Sequence, residues 1–220
     1  MRHIMFIGLG SFGYHCARAL EGRAHVTVID LDRDAIQRIG PYVTRAVVAD
    51  GTKRDVIEEL GAESMDVAVI NLGDRMDASI LATLHLKALK VREIYAKGIS
   101  EEHAEVLKII GATRVIYPER DSAENLAVSI VRPTILDYLR LHGDVSILEV
   151  LAPEEFVGKN LIQLNLRNRF GITVIAIYGP EGRKSVSPKP DVIIEDGDRL
   201  LMIGENESLL TFQASLEKVV

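Results

Sequence analysis

The 220-residue chain has no tryptophan and a single cysteine, and aromatic residues make up only 5% of it. One thiol cannot close an internal disulfide, which excludes the disulfide-stapled secreted class and fits a reducing cytosol. So few rings exclude an extended stacking platform for single-stranded nucleic acid. Positive charge is also short: 26 Lys and Arg stand against 32 Asp and Glu, a formal net charge of -6 at pH 7. That balance offers no broad basic face, so no nucleic-acid partner is expected. Long apolar runs are missing as well. Each is broken by charge well short of the roughly 18 residues that span a bilayer, so no direct membrane span is expected. The opening stretch reaches Gly8 too soon for the apolar region of a signal peptide. Cys16 falls within a helical pattern and reads as a small buried hydrophobe.

The remaining composition, 47% hydrophobic and 26% charged, is that of an ordinary globular protein. Its first two-thirds alternate short β-branched runs with amphipathic stretches. Strands are expected at residues 3–7, 25–29, 45–49, 66–70, 93–96 and 113–117. Helices are expected at 12–21, 33–39, 53–60, 78–90 and 101–110. In the fourth helix, Ile80, Leu81, Leu84, Ala88 and Leu89 form the expected buried face. This alternation predicts an α/β, Rossmann-like parallel sheet covered on both faces. The rhythm then changes. Residues 121–141 read as one long crossover helix broken at Pro133, with Asp121 and Glu124 resembling a capping box. His142-Gly143-Asp144 reads as its exit. Strands follow at 146–151, 172–178, 192–194 and 199–203, with a helical patch at 160–168, a tight turn over Glu195-Asp196-Gly197-Asp198 and a terminal helix from 206. Two domains are expected: 1–135, nucleotide-binding, and 136–220, a small α+β lobe.

The most informative residues are Gly8-Leu9-Gly10-Ser11-Phe12-Gly13, which follow a strand and open a helix. Gly8 permits the turn, Gly10 lets backbone approach a phosphate, and Gly13 lets helix pack close to strand. The helix N-terminus then presents free N–H groups to the anion. Asp30 ends the second strand 17 residues after Gly13, where a carboxylate can accept from both hydroxyls of an adenosine ribose. Leu31 stands beside it, and Asp32 reads as the N-cap of the next helix. The carboxyl ends of the other strands should line the same crevice. They supply Asp50, Gly51 and Thr52 after strand three, the first two near an adenine, Asn71 and Gly73 after strand four, Lys97 toward a phosphate, and Glu119 after strand six. Each of these also fits a cap or a turn.

A nucleotide fold does not make an enzyme. None of the six histidines stands with a carboxylate or serine in a catalytic arrangement, and no metal-ligand spacing is evident. A small NAD-dependent oxidoreductase is the alternative reading, without catalytic residues to support it.

The glycine loop, Val28-Ile29-Asp30, Ala49-Asp50-Gly51-Thr52, Tyr95-Ala96-Lys97 and the run Gly111-Ala112-Thr113-Arg114-Val115-Ile116-Tyr117-Pro118-Glu119 together resemble the KTN/RCK family. Within it the chain is similar to the KtrA/TrkA type of cytosolic regulatory subunit of bacterial potassium uptake systems, and the part after Ser146 to the RCK C-terminal (TrkA-C) domain. The resemblance implies no chemistry of its own. It implies a homodimer assembled into a ring, typically octameric, beneath a membrane-embedded potassium-translocating subunit, hence a cytoplasmic location at the inner face of the membrane. ATP or ADP, or NAD(H), would occupy the crevice as regulatory ligand. Gly8, Gly10 and Gly13 would form the phosphate loop, Asp30 would hold the ribose, Asp50 would lie by the adenine and Lys97 by the phosphates. Glu119 would help bind a divalent cation at the dimer interface. Two departures matter. Ser11 stands where ATP-binding members carry an arginine that reaches the terminal phosphate, which moves the expectation toward ADP or NAD. The cyclic di-AMP pattern D-x-R-x5-N is met by Asn165-Leu166-Arg167 and Thr173, so only its arginine is kept.

Overall fold

The computed structural model describes residues 1–131, 135–141, 143–182 and 184–217. They form two compact units, Met1–Arg120 and Asp121–Val220.

In the first unit, strands β1 (His3–Ile7), β2 (His25–Asp30), β3 (Arg45–Val48), β4 (Val67–Ile70), β5 (Glu93–Lys97) and β6 (Arg114–Ile116) form one sheet in the order β3-β2-β1-β4-β5-β6. Every pairing is parallel. Helices α1 (Ser11–Ala19), α2 (Arg33–Ile39), α3 (Arg54–Glu59), α4 (Met76–Ala88) and α5 (Glu101–Ile110) make the crossovers. Alternation along the strands builds two cores. Met5, Ile7 and Ile70 pack on one side with Ile57, Leu86 and Ile94. Ile4, Phe6, Val28 and Val69 pack on the other with Ala17, Ile36 and Ile39. A sheet covered on both faces needs this near-continuous burial of its central strands. Cys16 lies half-buried beside the second of these cores. The order reverses between β1 and β4, and that switch point places a crevice at the carboxyl ends of both strands.

Two helix starts follow the expected chemistry. Asp32 caps α2, its Oδ1 accepting from Asp34 N at 2.8 Å and Ala35 N at 3.2 Å. Ser100 caps α5 by accepting from His103 N. Helix α4 departs from expectation. Its buried face is Ala78, Ser79, Ala82, Thr83 and Leu86, while Leu81 and Leu84 are 44% and 48% exposed. The small residues let α4 pack closely, and Ser79 and Thr83 lose no hydrogen bonds there. Thr83 Oγ1 donates to Ser79 O, and Ser79 Oγ meets both Met76 O and Nε2 of the buried His103 at 2.8 Å. Of the expected face, Leu89 is buried and Ile80 packs against the core, while Leu81, Leu84 and Ala88 are exposed, so apolar periodicity alone finds only part of the stripe.

Helix α6 (Pro118–Val131) starts three residues before the expected capping box, with proline in the first-turn position that tolerates its missing N–H. Asp121 and Glu124 thus lie inside the helix. The expected helix to 141 is replaced by a strand, β7 (Ile135–Arg140), paired antiparallel with β8 (Val145–Leu151). Gly143 and Asp144 turn between these strands, so they are a hairpin connection and not a helix exit. Pro133 and His142 lie outside the described residues.

The second unit is a five-stranded antiparallel sheet in the order β10-β9-β11-β8-β7, completed by β9 (Thr173–Tyr178), β10 (Lys184–Val186) and β11 (Arg199–Glu205). Short helices α7 (Leu161–Leu164) and α8 (Leu166–Phe170) and the terminal α9 (Asn206–Glu217) pack with it. Phe212 anchors this core, its ring 6.1 Å from Phe156 and 5.5 Å from Phe170. The strand expected at 192–194 is only an isolated bridge between Ile193 and Asn160, because Asn160 belongs to a capping box at α7 and not to a strand. Strand β10 was not expected, because it falls within residues 179–190, a stretch rich in glycine and proline. The expected turn at 195–198 is present: fully buried Asp198 accepts from Glu195 N at 2.8 Å.

Candidate nucleotide cleft

Gly8 leaves β1 with φ of +91°, and a Cβ there would lie 2.0 Å from the carbonyl oxygen of Asn71. The loop and the end of β4 therefore touch backbone to backbone, where Asn71 N donates to Ile7 O at 2.8 Å, and Gly8 N ties the loop to β2 by donating to Ile29 O at 2.8 Å. Gly13 fills the opposite role: a Cβ on it would meet Gly8 O at 2.6 Å, so α1 approaches the loop as no other residue type allows. Helix α1 starts at Gly10 with no side-chain cap and no acid in its first turn. Where α2 and α5 are closed by Asp32 and Ser100, the N-terminus of α1 is left open to an anion.

Asp30 sits at the end of β2 and faces this loop. Its Oδ2 accepts from Leu9 N at 2.6 Å and its Oδ1 from Asp32 N at 2.8 Å. A carboxylate has about four lone-pair sites, so both oxygens keep capacity for ribose hydroxyls. Asp50, after β3, accepts from Thr52 through its hydroxyl at 2.7 Å and its amide at 3.0 Å. Those two bonds, hydroxyl first, hold the Asp50 carboxyl below the usual carboxylate range against the opposing cost of burial, with smaller help from the charges of Lys53 and Arg75. The sign follows directly. A carboxyl depressed in the folded state adds stability above its unfolded value, about 3.9, and loses that contribution as pH falls through the folded value. Thr52→Val is therefore expected to raise the Asp50 pKa toward the ordinary value and to flatten the acid limb of stability. Carboxyl-carbon NMR titration checks it; an unmoved Asp50 resonance would refute it.

A cavity of about 230 Å³ gathers Gly8, Gly10, Asp30, Leu31, Asp50, Gly51, Asn71 and Gly73, eight of the residues expected at the site, together with Arg75. Ser11 faces a neighbouring cavity of about 460 Å³ beyond Asp30, shared with Tyr14, Asp32 and Arg38. Phe12, Gly13 and Thr52 line neither: Phe12 packs beside the core, and the other two support loop and carboxylate from behind. Asn71 is 4% exposed, and its Nδ2 has no hydrogen-bond partner. An unmet buried donor costs about 1–3 kcal/mol, and this one lies where Gly10 and Gly13 lack side chains, 3.1 Å and 2.8 Å from the missing Cβ positions.

Lys97 and Glu119 are placed elsewhere. They form an ion pair in a separate cavity of about 440 Å³ with Asp74, Ser100, Tyr117 and Arg120. The sheet order explains it, because β5 and β6 lie beyond β4 from the glycine loop. The loop between β4 and α4 lies between these two cavities, giving Gly73 and Arg75 to one and Asp74 to the other. Lys97 holds the Glu119 carboxyl low. Glu119 does not fit a metal centre in this chain by itself, since it is engaged by Lys97 and no group of three potential ligands exists among the described residues. Arg75 was missed by sequence reasoning. The sequence offered no motif for it, since the helix was expected only from residue 78 and its N-cap place is seen only in the structure.

In the second unit, Arg167 and Thr173 line a cavity of about 240 Å³, while Asn165 turns its Oδ1 to Asn168 Nδ2 at 2.6 Å.

A six-stranded dinucleotide-type fold, a fitted glycine cradle and a small antiparallel lobe define a class, and comparison with known proteins agrees with it. Residues 4–118 match the TrkA-N domain and residues 145–217 the TrkA-C domain. The chain belongs to the TrkA (KTN/RCK) family. It is 35% identical to the Ktr system potassium uptake protein C of Bacillus subtilis, over 94% of both chains. It is 30% identical to the Ktr system potassium uptake protein A of Vibrio alginolyticus, over 96% of both. Among solved structures, the GsuK channel bound to NAD matches 99% of this chain with a TM-score of 0.54 at 22% identity. This chain spans 39% of that channel's length. The TrkA-N domain of inner membrane protein ybaL from Escherichia coli matches 58% of this chain and 95% of its own, with a TM-score of 0.52 at 18% identity. No helix among the described residues is long and apolar enough to cross a membrane.

Proposed function

We propose that this protein is the cytoplasmic, nucleotide-sensing regulatory subunit of a potassium uptake system. Similarity to Ktr potassium uptake proteins along almost the whole chain, at 30–35% identity, is the observation that carries the reading. Those relatives are uptake-system proteins, and a chain of this kind acts on a partner that does cross the membrane, a potassium-translocating subunit at whose inner face it docks. An adenine nucleotide, ATP, ADP or NAD(H), occupies the cleft between β1 and β4: ribose on Asp30, phosphates over the glycine loop and the open start of α1, adenine toward Asp50. A homodimer, assembled into an octameric ring, converts that occupancy into gating, because a ligand shifts a conformational equilibrium only through its differential affinity for two states. The divalent cation expected at Glu119 requires ligands from a second copy. Cyclic di-AMP stays outside the reading, since Arg167 alone keeps its residue type.

The protein acts as a sensor and not as an oxidoreductase. Supporting this, the walls of the cleft and of the Lys97 cavity include no histidine or cysteine, and His103 is buried between α4 and α5. Calorimetric titration of the purified chain with ATP, ADP and NADH, with particle mass recorded in each state, tests the reading. Micromolar binding that changes mass or shape without turnover is expected. NADH oxidation with a small-molecule acceptor would overturn it.

A further inference from the structure

The cleft at the glycine loop has two carboxylates, Asp30 and Asp50, and one cationic side chain, Arg75, on its walls. A phosphate chain entering there meets two negative charges, and the helix start and loop amides supply only partial positive charge. Lys97 belongs to the other cavity and is engaged by Glu119. Arg75 is the full positive charge on the walls of this cleft; Arg38 lines the adjoining cavity with Ser11, Asp30 and Asp32. Arg75 is exposed, and among the described residues no carboxylate stands within ion-pair distance of it.

Its position is set by topology. β1 and β4 are neighbours at the reversal of strand order, so the loop after β4 faces the glycine loop across the crevice. Arg75 occupies the N-cap position of α4 and makes no side-chain cap bond. On the same wall, the buried Asn71 Nδ2 is a donor without an acceptor. The cavity, about 230 Å³, is smaller than the roughly 300 Å³ at which small-molecule sites begin. Part of any nucleotide therefore lies outside it, in the adjoining cavity that shares Gly10 and Asp30 or beside the exposed Arg75.

We propose that Arg75 reads the phosphate chain. The glycine loop and the open end of α1 take the first phosphate and Arg75 takes the second, so the site selects a nucleoside diphosphate group, as in ADP or a dinucleotide, over a nucleoside monophosphate. This rests on the nucleotide reading above and names the residue that gives it selectivity. Guanidinium suits the task because its planar fork can grip phosphate oxygens in pairs.

The test is calorimetric titration of the full chain with adenosine, AMP and ADP, comparing the native protein with Arg75→Ala and Arg75→Lys, each checked by thermal melt. The native protein should prefer ADP to AMP by about tenfold or more, the scale of one charge-assisted contact. Arg75→Ala should erase that preference while leaving adenosine affinity within about twofold, and Arg75→Lys should restore part of it. An ADP preference that survives Arg75→Ala, or a parallel loss for all three ligands, would overturn the role of Arg75 while leaving the nucleotide site standing. Failure of the native protein to bind ADP at all would overturn the nucleotide reading and this assignment with it.

Discussion

Gly8→Ala is expected to destabilise the nucleotide-binding unit by roughly 2–5 kcal/mol, and to abolish nucleotide binding where the chain still folds. Two costs combine. At φ of +91° an L side chain is strained, by about 1–2 kcal/mol in the left-handed region. The new methyl would also stand 2.0 Å from the Asn71 carbonyl oxygen, a backbone atom fixed by its strand. Overpacking a rigid site adds about 1–3 kcal/mol or more. Gly22 separates the two contributions, for it has φ of +69° with nothing within 4 Å of the added carbon. Gly22→Ala should show the conformational cost alone. Urea melts of both variants decide the matter, and equal losses would show that contact with Asn71 does not hold the loop.

Asp30→Asn is expected to weaken adenosine binding by about 10- to 100-fold and to cost about 1–3 kcal/mol of stability. The substitution is nearly isosteric, but both carboxylate oxygens accept from backbone N–H groups, Leu9 on one side and Asp32 on the other. An amide offers one oxygen and one NH₂, so one of those donors would face another donor. Losing the Leu9 contact releases the glycine loop in the same step that removes a ribose acceptor. Asp32→Asn is the matched control, since asparagine caps a helix as well as aspartate does and should be nearly neutral. Titration with adenosine, alongside thermal melts, gives the answer. An Asp30→Asn variant that binds as the native protein does would remove Asp30 from the site.

Much of this was legible in the sequence because the constraints are local. A tight turn, a close helix and a strand-end acid each demand particular residue types, so the glycine loop and Asp30 announce themselves. So does the parallel sheet, whose central strands carry apolar runs such as Ile4-Met5-Phe6-Ile7 and Val67-Ala68-Val69-Ile70. Long-range partners were less legible. Leu81 and Leu84 look like core by periodicity, yet Ala78 and Ala82 are buried, because tight packing favours small residues over large apolar ones. Strand β7 was mistaken for helix since only its pairing with β8 makes it a strand. Lys97 could not be assigned to a cavity without the strand order, and Arg75 carries no motif at all. Its significance arises only when β4 is set beside β1.

The half-buried Cys16 has a practical consequence for experiments on this molecule. Burial raises its thiol pKa above the ordinary value, so little reactive thiolate exists near neutral pH. Maleimide reagents should pass it by slowly. One cysteine introduced at an exposed position should therefore take a fluorophore or spin label ahead of Cys16.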